Sequence, residues 1–358
     1  MTNQDKLRLI AFYLPQFHPI PENDQWWGKG FTEWTNVGKA KPLFKGHYQP
    51  HVPADLGYYD LRLSEVRDAQ AAMARHAGIE GFCYWHYWFG NGKRLLERPI
   101  NEVLDSGSPD FPFCFAWAND SWKGIWHGLS KGKVLIEQSY PGIDDIEKHF
   151  YELLNFFNDK RYIKIDDKPV FMIYKPLDIP NPNEFIEIWQ NLAIINGLKG
   201  IYFIGHAVHT WEIEKIEKFN FDAVNIVRLA HAEKQLQSKY YRFMKKILKL
   251  PRFVLYKNAF PYFLGEEEKS DNCFPTIIPN WDHSPRSGTN ALIIHDSRPD
   301  LFETHLVEVI EALKRKPKNR RIAFIKSWNE WAEGNHLEPD LKFGNGYLDV
   351  FKKVLQLK

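Results

Sequence analysis

Two glutamates three residues apart near the end of the chain, Glu330 and Glu333, are the best candidates for a catalytic pair. They lie in the sequence Trp328-Asn329-Glu330-Trp331, shortly after an apolar run over residues 322–325. Paired carboxylates can donate and remove protons at a glycosidic bond, and indole rings can stack on the C–H faces of sugars. On a helical turn the two glutamates would share one face. Two acids could instead simply begin a helix, where they suit its dipole, but the tryptophans favour the chemical interpretation.

The elements that must position this pair form a regular alternation of apolar segments and helical patterns. Helices are predicted over 60–76, 144–158, 183–195, 300–314 and 346–357, where apolar residues recur at helical spacing. The predicted strands are 8–14, 78–88, 112–118, 168–176, 200–206, 221–227, 274–279 and 322–326. Eight strands separated by helices predict an α/β fold, a (β/α)8 TIM barrel that forms a single domain over residues 1–358.

Polar and aromatic residues cluster where these predicted strands end, which is where TIM barrels carry their active sites. A long loop over 20–59 adds further aromatic side chains at the same end of the barrel. Asn329 is expected to bond a sugar hydroxyl or to orient Glu330. The predicted substrate-binding residues are Tyr13, Gln16, His18, Trp26, Trp27, Trp85, His86, Trp117, Asn119, Asp120, Lys175, His206, Trp281 and Asn329.

Composition excludes several other classes of protein. The net charge of +2 gives no signature of nucleic-acid binding, and three scattered cysteines form no disulfide or zinc pattern. The histidines lack H-x-H and H-E-x-x-H spacing, so we predict packing or hydrogen-bonding roles and no metal. No nucleotide, P-loop or G-x-S-x-G motif is present, so no cofactor is predicted. The polar start of the chain predicts no signal peptide, and hence a cytoplasmic protein of undetermined oligomeric state.

A basic insert at about 232–265 contains one segment that needs separate interpretation. Residues 239–257 carry seven Lys and Arg side chains, interleaved with apolar ones and without an acid. That pattern is typical of a basic amphipathic segment on an anionic membrane surface, so peripheral contact with a membrane or a lipid-linked glycan is one interpretation. The other is a barrel helix with a solvated basic face.

Four motifs together resemble a known family: FYLPQFHP at 12–19, WWGKGFTEWTNV at 26–37, GFCYWHYWF at 81–89 and SWNEWAEG at 327–334. They resemble WbsX-type proteins, relatives of glycoside hydrolase family 99, the endo-α-mannosidase group, often encoded with O-antigen or capsular polysaccharide genes. The resemblance implies a (β/α)8 barrel in which Glu330 removes the proton of a sugar 2-hydroxyl. A 1,2-anhydro sugar would form with retention of configuration, and Glu333 would be the general acid/base. Asp120 and His127 depart from the Glu and Asp usual in the family.

Three functions follow from these observations. The first is a retaining glycoside hydrolase-like enzyme that acts on an α-linked bacterial surface polysaccharide or its precursor. The second is a glycosyltransferase or transglycosylase of O-antigen or capsule synthesis, because an anhydro intermediate can be captured by a sugar hydroxyl as well as by water. The third is a catalytically silent glycan-binding barrel that uses Trp26, Trp27, Trp85, Trp122 and Trp281 as stacking platforms.

Overall fold

Eight parallel strands form a closed barrel at the centre of the computed structural model, which describes residues 7–124, 134–237 and 251–356. Neighbours in sequence are neighbours in the barrel, and β1 pairs with both β2 and β8, so the ring has no open edge. The predicted TIM barrel is therefore confirmed. The strands are β1 (Arg8–Tyr13), β2 (Gly81–Trp88), β3 (Phe113–Trp117), β4 (Lys168–Ile173), β5 (Tyr202–Ala207), β6 (Ala223–Ile226), β7 (Cys273–Ile277) and β8 (Ile322–Ile325).

The strands are apolar along their length because both faces are buried. Every residue of β8 is buried, for example, as is every residue of β2. Inside the barrel, Phe12 stacks on Trp85 with ring centroids 4.9 Å apart and on Phe324 at 5.4 Å. Side chains that alternate with these point outward to the helices, as expected for the period of two along a strand.

Helices cover the outside of the barrel and also occupy the first connection. The long loop predicted over 20–59 differs from the structure, because it contains two helices. Pro21 occupies the first turn of one, and the Thr32 side chain accepts a hydrogen bond from Trp34 N at the start of the other. The helices are Pro21–Trp27, Glu33–Lys39, Ser64–His76, Arg98–Ser106, Ile143–Asn158, Pro182–Ile195, Thr210–Ile216, Leu229–Leu236, Tyr256–Ala259, Ser284–Ser287, Pro299–Lys314 and Gly346–Val354.

Short strands and 3₁₀ turns lie in the connections between the barrel strands and the helices. Nine further strands are Arg94–Leu95, Trp122–Lys123, Val134–Ile136, Lys164–Ile165, Arg252–Leu255, Trp281–Asp282, Leu292–His295, Asn329–Glu330 and Asn335–His336, all within the described residues. Single 3₁₀ turns are Pro176–Asp178, Phe260–Tyr262, Glu267–Lys269, Gly288–Asn290, Lys318–Arg320 and Trp331–Glu333.

The structure describes part of the basic segment 239–257. Residues 238–250 lie outside the described residues. In the described part, Arg252–Leu255 differs from the barrel helix that was one interpretation, because it is a strand that runs parallel to Leu292–His295, and Val254 in it is buried. The helix Tyr256–Ala259 follows it. Across the described ranges, none of the helices combines the length and apolar character that crossing a bilayer would require.

Candidate active site

The loop that follows β8 carries both candidate catalytic glutamates. Asn329–Glu330 pairs antiparallel with Asn335–His336, and the tight turn Trp331–Glu333 connects the two. Gly334 then adopts a left-handed φ of 52°, and a Cβ atom at this position would lie 2.7 Å from the Cβ of Asp282. Glycine is therefore required, because any other residue would displace the turn that ends in Glu333.

Asn329 anchors this loop to the end of β1. Its Oδ1 accepts the Leu14 backbone N–H at 2.7 Å, and its Nδ2 donates to the Leu14 carbonyl at 3.0 Å. The same Nδ2 lies 3.3 Å from the Tyr59 hydroxyl. These contacts occupy the amide and hold Glu330, its neighbour, against the barrel mouth.

A chain of buried charges surrounds the two glutamates. Lys326 Nζ lies 3.2 Å from Glu330 Oε2 and 3.8 Å from Glu333 Oε2. Arg286 Nη1 donates to Glu333 Oε1 at 2.6 Å, and Arg286 Nη2 lies 3.0 Å from Glu33 Oε2. Two cations therefore bind three carboxylates, and none of these side chains is more than 14% exposed.

Burial and charge raise the pKa of two of these carboxyls. Burial raises the pKa of Glu330, and the neighbouring Glu333 raises it further, while Lys326 and Arg286 oppose both effects. Burial likewise raises the pKa of Glu33 against the opposing charge of Arg286. Perturbed carboxyls grouped in a cleft are typical of sites that move protons.

A cavity of about 460 Å³ opens onto these glutamates at the C-terminal ends of the strands. Its aromatic walls are formed by Trp27, Trp85, Tyr87, Trp122, Tyr174 and Trp281. His206 in the same lining donates from Nδ1 to Asn225 Oδ1 at 2.9 Å, and burial lowers its pKa to about 3. Its Nε2 is then an unprotonated acceptor, suited to a sugar hydroxyl.

Comparison with known proteins assigns the chain to a family. Residues 9–351 match the family described as Glycosyltransferase WbsX. The chain belongs to the WbsX family. The predicted resemblance is thereby confirmed. Two Xanthomonas campestris pv. campestris proteins described as uncharacterized protein WxcX, from different strains, are each 36% identical over 353 residues. Each match covers 97% of this chain but 49% of the relative, so this chain spans about half the length of those proteins.

Solved structures share the fold of this WbsX-family chain. A GH99 endo-alpha-mannosidase from Bacteroides thetaiotaomicron superimposes with a TM-score of 0.59 at 16% identity, covering 98% of this chain and 99% of the other. A glycoside hydrolase-like protein gives a TM-score of 0.58, also at 16% identity, covering 98% and 94%. At this identity the likeness concerns the fold.

The cavity brings together part of the residue set predicted for this WbsX-family chain. Among the predicted residues, those in its lining are Gln16, Trp27, Trp85, Asp120, His206, Trp281, Glu330 and Glu333. Trp27 lies on the helix Pro21–Trp27, and the others lie near the ends of barrel strands that are distant in sequence. They meet because parallel strands of a closed barrel all end on one face.

Three predicted residues on the strands face away from the cavity. Tyr13 donates its hydroxyl hydrogen to Gln70 Oε1 at 2.7 Å, towards the helix Ser64–His76. His86 Nε2 lies 2.8 Å from His149 Nε2, and Trp117 donates from Nε1 to the Trp88 carbonyl at 2.9 Å. Strict alternation along β1 and β2 provides the signal for this, since Phe12 and Trp85 point inward.

The remaining predicted residues support the loops around the cavity. Asn119 bridges two strand ends by donating to the Lys175 carbonyl at 2.8 Å and accepting from Lys175 N at 2.7 Å. Lys175 Nζ lies 3.0 Å from Asp120 Oδ2. Trp26 packs edge-on against Trp122, with ring centroids 5.9 Å apart. His18 is buried in the loop after β1.

Sequence reasoning missed the cations and the third carboxylate. Glu33 lies within the second quoted motif, yet nothing in its local pattern shows that it faces the cavity. Arg286 lies 253 residues from it, on the short helix Ser284–Ser287. Lys326 could have been found from the sequence, because it lies directly after β8 and four residues before Glu330.

A fourth buried carboxyl, Glu338, supports the loop that carries Glu330 and Glu333. Its Oε1 accepts from Gln70 Nε2 at 2.6 Å and from Trp328 Nε1 at 3.0 Å. Its Oε2 accepts from Trp331 Nε1 at 2.6 Å and from the Tyr59 hydroxyl at 2.8 Å. Burial outweighs these donors and raises the pKa of Glu338 to about 7.

Glu338→Gln should lower the free energy of unfolding by at least about 2 kcal/mol, the cost of leaving buried groups without partners. The amide NH₂ would meet two N–H or O–H donors that now point at a carboxylate oxygen. Denaturant unfolding of wild type and variant measures the difference. Glu311→Gln is the control, because Glu311 is exposed and pairs with the exposed Lys314. Equal loss in both variants would contradict the bracing role.

Proposed function

We propose that this chain is a glycan-active enzyme in which Glu330 and Glu333 cleave or transfer an α-linked sugar. The observation that carries the proposal is the buried carboxylate pair at the mouth of an aromatic-walled cavity. The tryptophans and tyrosines provide stacking surfaces for sugar rings, and the carboxyls provide the proton transfers.

The distances around Lys326 support a retaining mechanism. Because Lys326 Nζ contacts both carboxylates, their Oε2 atoms lie within about 7 Å of each other, the limit set by the two contact distances. Retaining enzymes place their carboxyls at about 5–5.5 Å, whereas inverting ones need about 6.5–9.5 Å to admit water. The upper limit of about 7 Å on the Oε2–Oε2 distance excludes most of the separations that inverting enzymes use.

We assign Glu330 the role of base on the sugar 2-hydroxyl and Glu333 that of acid/base at the glycosidic oxygen. The raised pKa of Glu330 supports its role, because a carboxylate with greater proton affinity removes a proton more readily. The 2-oxygen then attacks the anomeric carbon and forms the O2–C1 bond of a 1,2-anhydro sugar. The bond from C1 to the glycosidic oxygen breaks at the same time, and Glu333 protonates the departing oxygen.

A transferase is the second candidate, favoured by the family's description as a glycosyltransferase. The same anhydro intermediate would be opened by a sugar hydroxyl in place of water, with Glu333 returning as base. O-antigen or capsule synthesis in the cytoplasm, with a lipid-linked glycan held near 239–257, is the setting we propose for that activity.

A glycan digestion screen distinguishes these functions. Wild type and a Glu330→Gln/Glu333→Gln double variant are incubated with α-mannans, α-rhamnans and O-antigen polysaccharides, and products are read by mass spectrometry. Oligosaccharides released only by wild type would establish a hydrolase. Products formed only when a lipid-linked or activated donor and an acceptor glycan are added would establish a transferase. Glycan binding by both proteins without any product would instead support a catalytically silent glycan-binding barrel.

The pH profile of kcat/KM tests the assignment of Glu330 as base. Activity should fall as the pH drops through the raised pKa of Glu330, because the base must be ionised to accept a proton. The positive charge of Lys326 lowers that pKa, so Lys326→Met should move the acidic limb of the profile to higher pH.

Lys175→Met is the matched control for this shift, because its ammonium pairs with Asp120 instead of Glu330. An acidic limb that stays in place in Lys326→Met, with activity retained, would remove Glu330 from the role of base.

A further inference from the structure

Three side chains of the kinds that bind metal ions meet behind the catalytic loop. His51 comes from the long first connection, His336 from the short strand paired with Glu330, and Asp340 from the segment that follows. One potential ligand atom from each lies within 4.8 Å of the other two, and all three residues are buried. His51 lies 285 residues from His336, so no local spacing motif could join it to His336 and Asp340, which are four residues apart.

The hydrogen bonds of His336 direct its Nε2 towards His51 and Asp340. Its Nδ1 donates to the Glu338 carbonyl at 2.9 Å, so its Nε2 carries the lone pair. That Nε2 lies 2.8 Å from His51 Nδ1 and 3.9 Å from Asp340 Oδ2. A ring N–H bonded to a carbonyl is the usual second contact of a histidine that binds a metal through its other nitrogen.

Asp340 is oriented in a similar way. Its Oδ1 accepts the backbone N–H groups of Lys342 and Phe343 at 2.9 and 2.7 Å, which leaves Oδ2 on the side of His336. The Lys342 ammonium lies over the Tyr48 ring, 4.5 Å from its centroid. A cavity of about 90 Å³, lined in part by His51 and Asp340, adjoins the cluster and is large enough for water.

We propose that His51, His336 and Asp340 bind a divalent cation of the zinc type, with water from the adjoining cavity completing a tetrahedron. Two imidazoles at zinc bond lengths of about 2.0–2.1 Å are about 3.3 Å apart, so the histidine nitrogens separate by about half an ångström on binding. The proton that His51 Nδ1 donates to His336 Nε2 moves to Nε2 of the His51 ring, and the ion takes its place between the two rings. Bound there, the ion ties the 51 loop to the hairpin of Glu330 and thereby orders the catalytic loop.

A second buried histidine pair, His86 and His149, provides a control for the first. His86 Nε2 and His149 Nε2 are also buried and 2.8 Å apart, but among the described residues no third side chain of a metal-binding kind joins them. Within the described part of the chain, the metal-type grouping occurs at His51, His336 and Asp340. His86→Gln is therefore a control that disturbs a buried pair without removing a proposed ligand.

The test measures metal directly and does not depend on enzymatic activity. Full-length protein is stripped with EDTA, given Zn²⁺, gel-filtered and analysed by mass spectrometry for metal. We expect about one zinc per chain in wild type and in His86→Gln, and affinity weaker by at least ~100-fold in His51→Gln and Asp340→Asn. Replacement by Co²⁺ should give wild type the visible absorption of a tetrahedral site.

Wild type that retains no more zinc than His51→Gln, and that shows no cobalt absorption, would overturn the proposal and leave a hydrogen-bonded histidine pair. The cobalt spectrum and the stoichiometry of wild type keep the test decisive even where a variant fails to fold. A failed glycan screen would not affect either result.

Discussion

Glu333→Gln should lower turnover by at least ~100-fold on substrates with poor leaving groups, the usual weight of general acid catalysis. The amide cannot protonate the departing oxygen, yet it preserves the shape of the side chain and can still accept a hydrogen bond from Arg286. Glu330→Gln should cost a similar factor, because the amide cannot take the proton of the 2-hydroxyl. Steady-state kinetics on the substrate identified by the glycan screen provides the measurement.

Substrates with good leaving groups separate the two roles. An activated aryl glycoside needs no acid at the leaving group, so Glu333→Gln should recover much of the rate of its first step, whereas Glu330→Gln should stay inactive. The exposed carboxyl variant Glu311→Gln should keep wild-type rates throughout. Wild-type turnover in Glu333→Gln on a poor leaving group would end the assignment of this residue.

Arg286→Met should lower the free energy of unfolding by about 3–5 kcal/mol, the cost of removing one partner from a buried ionic network. Arg286 is 12% exposed and Glu33 only 1%, so the change leaves Glu33 and Glu333 buried without their guanidinium. The loss should be smaller at low pH, because the pKa of Glu33 is raised and its protonation relieves one of the unpaired charges.

Adding Glu33→Gln to Arg286→Met should recover part of the lost stability, since one of the unpaired charges is then absent. Arg252→Met is the matched control. Its guanidinium is 41% exposed and pairs with Glu233 at 3.1 Å, so its removal should cost no more than about 1 kcal/mol. Denaturant unfolding at two pH values measures all four proteins. A loss in Arg286→Met no larger than in Arg252→Met would show that the network contributes little.

The alternation of apolar strands with helical patterns was sufficient to predict the barrel. All eight predicted strands overlap the observed ones, because a strand buried on both faces must be apolar along its length and the sequence displays that directly. The first connection was harder, because the helices Pro21–Trp27 and Glu33–Lys39 are only two turns long and their apolar period is too short to recognise.

The sequence by itself also placed Trp85, Asp120, His206 and Trp281 near Glu330 and Glu333, because topology alone brings the ends of parallel strands to one face. Only the tertiary structure decided that Arg286 joins Glu33 to Glu333, and that His51 reaches His336. Such contacts join connections that are far apart in sequence, and their partners are selected by the three-dimensional path of the loops. Local pattern carries the period of a strand or helix, but it carries no information about which distant charge will be buried beside another.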